Sequence, residues 1–333
     1  MSNVALVRKD HASSFRMIAI GTWRTTKDPS VYGAIEVEMD ETLRYVEAFR
    51  AATGKRMTVT HLMAKAVGLV LAAIPDANAV LRFNRIYLRQ SADVFFQVAM
   101  QDPETGQIDL SGVTIRGADR KPIEAIVDEF DRAASKVRAG KDEEKESTRQ
   151  TFKRLPGWLV GPVLDLISWL TYTLNLDLSW AGLPKDPFGS AMVTNVGSLG
   201  LEEAYVPLVP YSKVPLLVAV SALKRVPVVR GDGRIEPATV MRLCATFDHR
   251  ILDGAHAAKM ASVLKSVFAD PWTHFGGVEP SAVSRQPSAV SRRRSASLRG
   301  LTKLRRDRRA PGRPSVSRRE SAVITLQSKG RAS

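Results

Sequence analysis

The 333-residue chain contains one cysteine, Cys244. That excludes a disulfide scaffold and a cysteine-built zinc site, and fits a reducing compartment such as the cytoplasm. Aromatic residues are sparse at 7%. No apolar run reaches the roughly 20 residues that a membrane-spanning helix needs. The first residues, Met1–Phe15, hold no apolar core of a secretory signal, so none is expected. The body also lacks an excess of either charge. The formal net charge is +15, but residues 281–333 alone carry fifteen basic and two acidic residues, which leaves +2 for residues 1–280. Nucleic acid or an acidic membrane surface is therefore suggested by the tail, not by the body.

Hydrophobic residues make up 44% of the chain, enough to bury a core. Residues 1–280 are read as one folded domain and residues 281–333 as a disordered Arg/Ser-rich tail. SAVSRQP followed by SAVSRRR forms an approximate repeat there, and a stretch without aromatics cannot bury enough surface to offset its ordering entropy.

Strands and helices alternate along the body. Tyr32–Met39 reads as a half-exposed strand, and Asp40 as the N-cap of a helix ending near Gly54. Thr60 is expected to cap an apolar helix that stops at Pro75. Ile86–Arg89 and Val94–Met100 read as strands, followed by a turn at Asp102–Gly106 and an amphipathic helix over Pro122–Ala139. Lys141–Lys153 is charged and expected to be exposed. From Ser190, strands are expected at Ala191–Asn195, Leu216–Ala222, Val226–Val229 and Val240–Phe247, with a turn at Gly231-Asp232-Gly233. A helix follows over Gly254–Ala269. This is an α/β pattern, in the sense of an α+β sandwich.

Leu155–Leu183 is the one unusual apolar stretch, with Trp158, Trp169 and Trp180. Its densest part spans 13 residues and contains Pro162 and Asp165, too short and too interrupted to cross a bilayer. It reads as a buried helical hairpin. The other readings are a membrane-surface element or a lid over an acyl pocket.

Of five histidines, His249 has the most informative setting. It follows a strand, RLCATF, and precedes a helix within Asp248-His249-Arg250-Ile251-Leu252-Asp253-Gly254. A strand-end loop fixes the backbone while presenting the imidazole to a cleft, and Asp253 four residues on can orient the ring or a neighbouring cation. Asp253 also suits a plain helix cap. His61 and His256 read as structural or solvent-facing, and Cys244, inside an apolar strand, as buried and inert.

Phe247–Pro271 (FDHRILDGAHAAKMASVLKSVFADP) resembles the C-terminal signature of the acyltransferase components of 2-oxo acid dehydrogenase complexes. Gly189–Gly200 (GSAMVTNVGSLG), Tyr205–Pro210, Val214–Ala222, Pro227–Met241 and Val59–Asn78 resemble the same catalytic domain. The resemblance implies a chloramphenicol acetyltransferase-like fold, a mixed sheet flanked by helices. It implies acyl transfer between a coenzyme A thioester and a thiol of dihydrolipoyl type or another small acceptor, with acyl-CoA or coenzyme A as substrate and no metal. It carries the general-base role to His249, the oxyanion-stabilising hydroxyl to Thr194 and a geometry-holding carboxylate to Asp253. Thr194 by itself would pass for an ordinary strand threonine. A homotrimer or larger assembly is implied, with Thr194 of one subunit facing His249 of the next.

The chain departs from the family's usual layout. No lipoyl hairpin with its lysine is recognisable, so no covalently bound lipoate is expected, and a lipoylated carrier would come from another chain. Two other readings stay open: a non-catalytic trimeric scaffold of a dehydrogenase complex, and binding of nucleic acid or acidic lipid through the tail.

Overall fold

A computed structural model describes residues 2–8, 29–101, 108–138 and 156–278. The expected turn at Asp102–Gly106, the charged run Lys141–Lys153 and the tail 281–333 lie outside these residues.

Among the described residues, nine strands form two sheets. β1 (Leu6–Arg8), β3 (Ala79–Arg82) and β4 (Arg85–Arg89) make a small antiparallel sheet in the order β1-β4-β3. The main sheet joins β2 (Ser30–Glu38), β5 (Val94–Gln101), β6 (Ile108–Ile115), β7 (Ala191–Asn195), β8 (Leu216–Val229) and β9 (Ile235–Asp248). Its order is β2-β9-β8-β7-β5-β6. The β5–β7 and β7–β8 pairs are parallel and the others antiparallel, so the sheet is mixed, as the α/β reading requires.

Helices α1 (Asp40–Thr53), α2 (Val59–Ala73), α3 (Ile123–Arg138) and α5 (Gly254–Ala269) share one apolar cluster with one face of this sheet. Side chains alternate along a strand, so Val193, Val218, Leu243 and Phe247 enter that cluster, while Met192 and Leu217 turn the other way. The second face is covered by Phe188, Val206, Leu208 and Val209. Phe49, Leu62, Ile126 and Phe268 are fully buried in the helix-side cluster. Burying a side chain of this size contributes about 1.5–3 kcal/mol. The helix layer therefore outweighs the exposed ion pairs of the β8–β9 hairpin, which are screened by solvent.

Several local expectations shift by one or two residues, for stated reasons. Asp40 lies inside the first turn of α1 instead of capping it; the N-cap position is Met39, and the Asp40 carboxylate accepts the Thr239 N–H at 3.1 Å. The helix ends at Gly54 in the left-handed region (φ 70°). The cap of α2 is Thr58, not Thr60, because His61 at the third helical position reaches back to the Thr58 N–H and completes a capping box. Leu216–Ala222 and Val226–Val229 are one long strand, β8. Two of its residues, Ser221 and Ala222, oppose Arg242 alone, a bulge that the sequence pattern does not betray. Cys244 is buried, as expected.

The apolar stretch is not a buried hairpin. It forms one helix, α4 (Gly157–Ser168), then a wider turn at Trp169–Thr173 and a mostly irregular run to β7. Leu166, Trp169, Leu176 and Trp180 are exposed, and Trp180 reaches 84%. Among its described side chains, Tyr172 is the large one buried in the interior, against Val4 and Val80. Among the described residues, no helix is long and apolar enough to cross a membrane. The short helix α6 (Pro271–Phe275) closes the described part of the chain.

His61 is a buried ring whose Nδ1 accepts the Thr58 N–H, with Nε2 3.2 Å from Asp131 Oδ1. Burial lowers its pKa below 6.5, and the Asp131 carboxylate opposes only part of that. In the unfolded chain the ring takes up its proton near pH 6.5, while in the folded chain it does so only at lower pH. The stability present above pH 6.5 therefore diminishes as pH falls toward the folded value. The thermal midpoint of the wild type should drop between pH 7 and pH 5 by more than that of His61→Gln. Equal drops in circular-dichroism melts would remove His61 from the account.

Candidate active site

The segment after β9 is built from both ends. The Asp248 N–H donates to the Pro215 carbonyl at 2.9 Å, and the His249 N–H to that of Pro29 at 2.9 Å. The Asp248 carbonyl then accepts from Ile251 and Leu252, which closes a tight turn. Ile251 and Leu252 are buried at 2% and 0% and act as anchors, so the turn is held by the core while His249 stays half-buried at its rim. The Asp248 carboxylate grips Arg250 with both oxygens, Nε–Oδ1 at 3.0 Å and Nη2–Oδ2 at 2.7 Å. Sequence reasoning passed over that pair. The only available signal was the alternation of charge at the end of an apolar strand.

The His249 ring is oriented by its own turn. Nδ1 lies 2.7 Å from the Leu252 carbonyl oxygen. A carbonyl oxygen only accepts, so Nδ1 carries the hydrogen, and in the neutral ring Nε2 keeps the lone pair. This tautomer is the one a general base needs.

Asp253 occupies the N-cap of α5. Its Oδ1 accepts the Ala255 N–H at 3.0 Å and the His256 N–H at 3.1 Å. The cap reading is thus met, and the ring this carboxylate touches is that of His256, with Nδ1 at 2.7 Å.

Thr194 sits near the C-terminal end of β7, paired with Ala219 of β8. Strand alternation places it on the face of Met192, away from the helix layer. The strand ends in a shaped turn. Asn195 Oδ1 accepts the Ser198 N–H at 3.1 Å, and Asn195 Nδ2 donates to the Thr60 hydroxyl at 3.1 Å. Gly197 lies so close to the β8 bulge that a Cβ there would stand 2.4 Å from the Ser221 carbonyl. Only glycine fits without moving one strand end, so the position of Thr194 depends on a glycine three residues away. A cavity of about 360 Å³ lies on the helix side of this turn, between Val46, Val59, Asn195 and Val220, and so across the sheet from the Thr194 face.

The three residues do not all meet within one chain. His249 and Asp253 share a turn. Thr194 is two strands away from β9 and five positions further along the sheet, a separation of roughly 15–20 Å at ordinary strand spacings. Among the described residues, no group of three His, Cys, Asp or Glu could hold a metal ion.

Comparison with known proteins agrees with this architecture. The sequence profile described as 2-oxoacid dehydrogenases acyltransferase (catalytic domain) matches residues 17–153 and 188–275. The lipoamide acyltransferase component of the branched-chain alpha-keto acid dehydrogenase complex of Bacillus subtilis is 24% identical over 246 residues, which is 73% of this chain and 47% of that protein. This chain spans about half the length of the curated relatives it matches. The fold is that of the cubic core of a pyruvate dehydrogenase multienzyme complex (TM-score 0.56, 19% identity, 80% of this chain and 93% of that one). It is also that of Azotobacter vinelandii dihydrolipoamide acetyltransferase (TM-score 0.55, 19% identity, 78% and 88%). That second structure addresses the roles of a serine, a histidine and an asparagine four residues after the histidine in its catalytic mechanism. A profile match over most of the described body, on an α/β fold that carries the strand-end histidine, establishes the family: this chain belongs to the catalytic-domain family of the 2-oxoacid dehydrogenase acyltransferases.

Proposed function

We propose that the chain transfers an acyl group between coenzyme A and a thiol of dihydrolipoyl type, with the reacting groups supplied by two subunits. The observation that carries this reading is the Nδ1–Leu252 carbonyl bond, which places the ring hydrogen on Nδ1 and makes Nε2 the basic nitrogen. Nε2 takes the proton of the attacking thiol. The thiolate adds to the thioester carbonyl, and the oxygen gains negative charge as the C–S bond to the nucleophile forms. The Thr194 hydroxyl donates a hydrogen bond to that oxygen. Collapse breaks the C–S bond to the leaving thiolate, which recovers the proton from Nε2 of the imidazolium. No acyl-enzyme is needed. Asp253 holds the turn that presents His249, and transfers no proton.

The trio of the Azotobacter relative supports the assignment, since its histidine and asparagine have the spacing of His249 and Asp253, and its serine corresponds in chemistry to Thr194. The separation of Thr194 and His249 within one chain supports a site completed between subunits of a trimer or a larger assembly, and the cubic core of the pyruvate dehydrogenase relative is in keeping with it. A lipoylated carrier provided by another chain supplies the thiol arm.

His249→Ala should lower kcat by about 10²–10⁴-fold, the usual worth of a positioned general base, with the circular-dichroism spectrum unchanged. Turnover near the wild-type rate with acetyl-CoA and dihydrolipoamide would refute the assignment. Thr194→Ala should cost about 10²–10³-fold in kcat. Two-subunit sites add a sharper outcome. When His249→Ala and Thr194→Ala chains are denatured and reassembled together at equal amounts, random mixing pairs an intact histidine with an intact threonine in about one quarter of the sites. Activity should reappear at about that fraction of wild type, whereas a mixture as inactive as its parents would place both residues in one-chain sites.

A further inference from the structure

His256 reads from the sequence as structural or exposed, and its surroundings show a structural residue with more contacts than a cap requires. Its Nδ1 lies 2.7 Å from Asp253 Oδ1, and its Nε2 lies 3.1 Å from Asp76 Oδ2. The ring is 20% exposed, and the two carboxylates are 27% and 18% exposed. Asp76 belongs to the Pro75–Asn78 turn that leads into the small sheet, 180 residues earlier in the chain. One imidazole thus joins the cap of α5, in the His249 turn, to a separate layer of the fold.

Helix capping accounts for the Asp253 end of this arrangement, where the Asp253 N–H lies 3.4 Å from His256 Nδ1 in a capping box, but not for the Asp76 contact. The cap needs only Asp253 Oδ1 to accept from the Ala255 and His256 N–H groups, and it does so at 3.0 and 3.1 Å whatever side chain stands at position 256. The side-chain contact adds a third partner to the same oxygen and fixes the rotation of the carboxylate about its own axis. The second contact, to Asp76, fixes the ring in turn. Carboxylate oxygens only accept, so both contacts form when both ring nitrogens donate.

We propose that His256 is a positioning residue for acyl transfer, holding the Asp253 carboxylate, and with it the His249 turn, against the Asp76 turn. This inference rests on the reading of His249 as the base. It touches no reacting atom. Its effect passes through Asp253, whose backbone follows Leu252, the residue whose carbonyl orients the His249 ring. A loosened cap lets that carbonyl drift and lowers the fraction of molecules with Nε2 aimed for proton transfer. The consequence is a loss in kcat with little change in the affinity for acyl-CoA.

The test compares three replacements at one position, with acetyl-CoA and dihydrolipoamide as the probes. In His256→Asn the amide nitrogen stands where Nδ1 was and can still donate to Asp253. In His256→Gln it stands where Nε2 was and reaches only Asp76. In His256→Ala neither contact remains. Positioning through Asp253 predicts a kcat fall of about 10- to 100-fold for the Ala and Gln variants at unchanged KM, with the Asn variant within a few-fold of wild type. Asp76→Asn should fall between the two. Wild-type kcat in the Gln variant, or equal losses in the Asn and Gln variants, would overturn the proposal, as would a lowered thermal midpoint with kcat intact. If the Ala variant fails to fold, the Asn–Gln contrast decides alone. His249→Ala measured alongside separates the two readings. An active His249→Ala enzyme refutes the base assignment and this inference with it, whereas an inactive one beside a fully active His256→Gln refutes only the role of His256.

Discussion

The hydrogen bond from His249 Nδ1 to the Leu252 carbonyl is the contact on which the proposed chemistry depends. It is short in sequence but not local in cause. Leu252 offers its carbonyl in that direction because its side chain is sealed in the core and its N–H is taken by the Asp248 carbonyl. Asp248 is in turn held by Pro215, at the start of β8. The orientation of one imidazole is thus paid for by the burial of a neighbour and by the register of two strands. A loop held only by its own hydrogen bonds would not fix the ring as firmly, since each such bond contributes about 0.5–1.5 kcal/mol net.

The other half of the site obeys a different constraint. Thr194 is placed by strand register and by the close approach of Gly197 to the β8 bulge. The bulge lets Ser221 turn its hydroxyl to the Arg242 N–H at 2.9 Å, which restores a ladder bond at the point where the extra residue interrupts the pairing. Two rigid pieces of one sheet therefore carry the hydroxyl and the imidazole, yet hold them too far apart to act on one carbonyl within one chain. A rigid sheet cannot flex to close such a gap. The proposed two-subunit site would close it with a second copy and leave both pieces as they are.

Residues 156–187, which fall outside the stretches matched by the family profile, carry an unusually apolar described surface. Helix α4 has one charged residue, Asp165, and the segment leaves four large apolar side chains in the open. It is fastened to the body through Tyr172 and through Asp186, which pairs with the buried Arg89. The attachment is thus partly ionic and lies on the side of the small sheet, while the apolar surface remains outward.

Much of this was legible in the residues. The helix over Gly254–Ala269, the strand before it and the β8–β9 turn follow from periodicity and from glycine and proline punctuation, which are local properties. The string from Asp248 to Gly254 marked His249 and Asp253 because a strand-end turn followed by a cap is itself a local pattern. Other features could not be read that way. The strands β3 and β6 lack clear alternation and gain their partners only from the sheet. An apolar run such as Leu155–Leu183 reads as buried because hydrophobicity reports a preference, not the presence of a neighbour to satisfy it. His256 could be read only as structural or solvent-facing because its second partner, Asp76, is 180 positions away. The sequence by itself determined the candidate residues at His249, Asp253 and Thr194 and most of the helices and strands, since these rest on side-chain type and short-range spacing. Tertiary structure alone decided which nitrogen of His249 keeps its lone pair, which carboxylates hold His256, and how far Thr194 stands from His249, because each depends on contacts that only folding brings together.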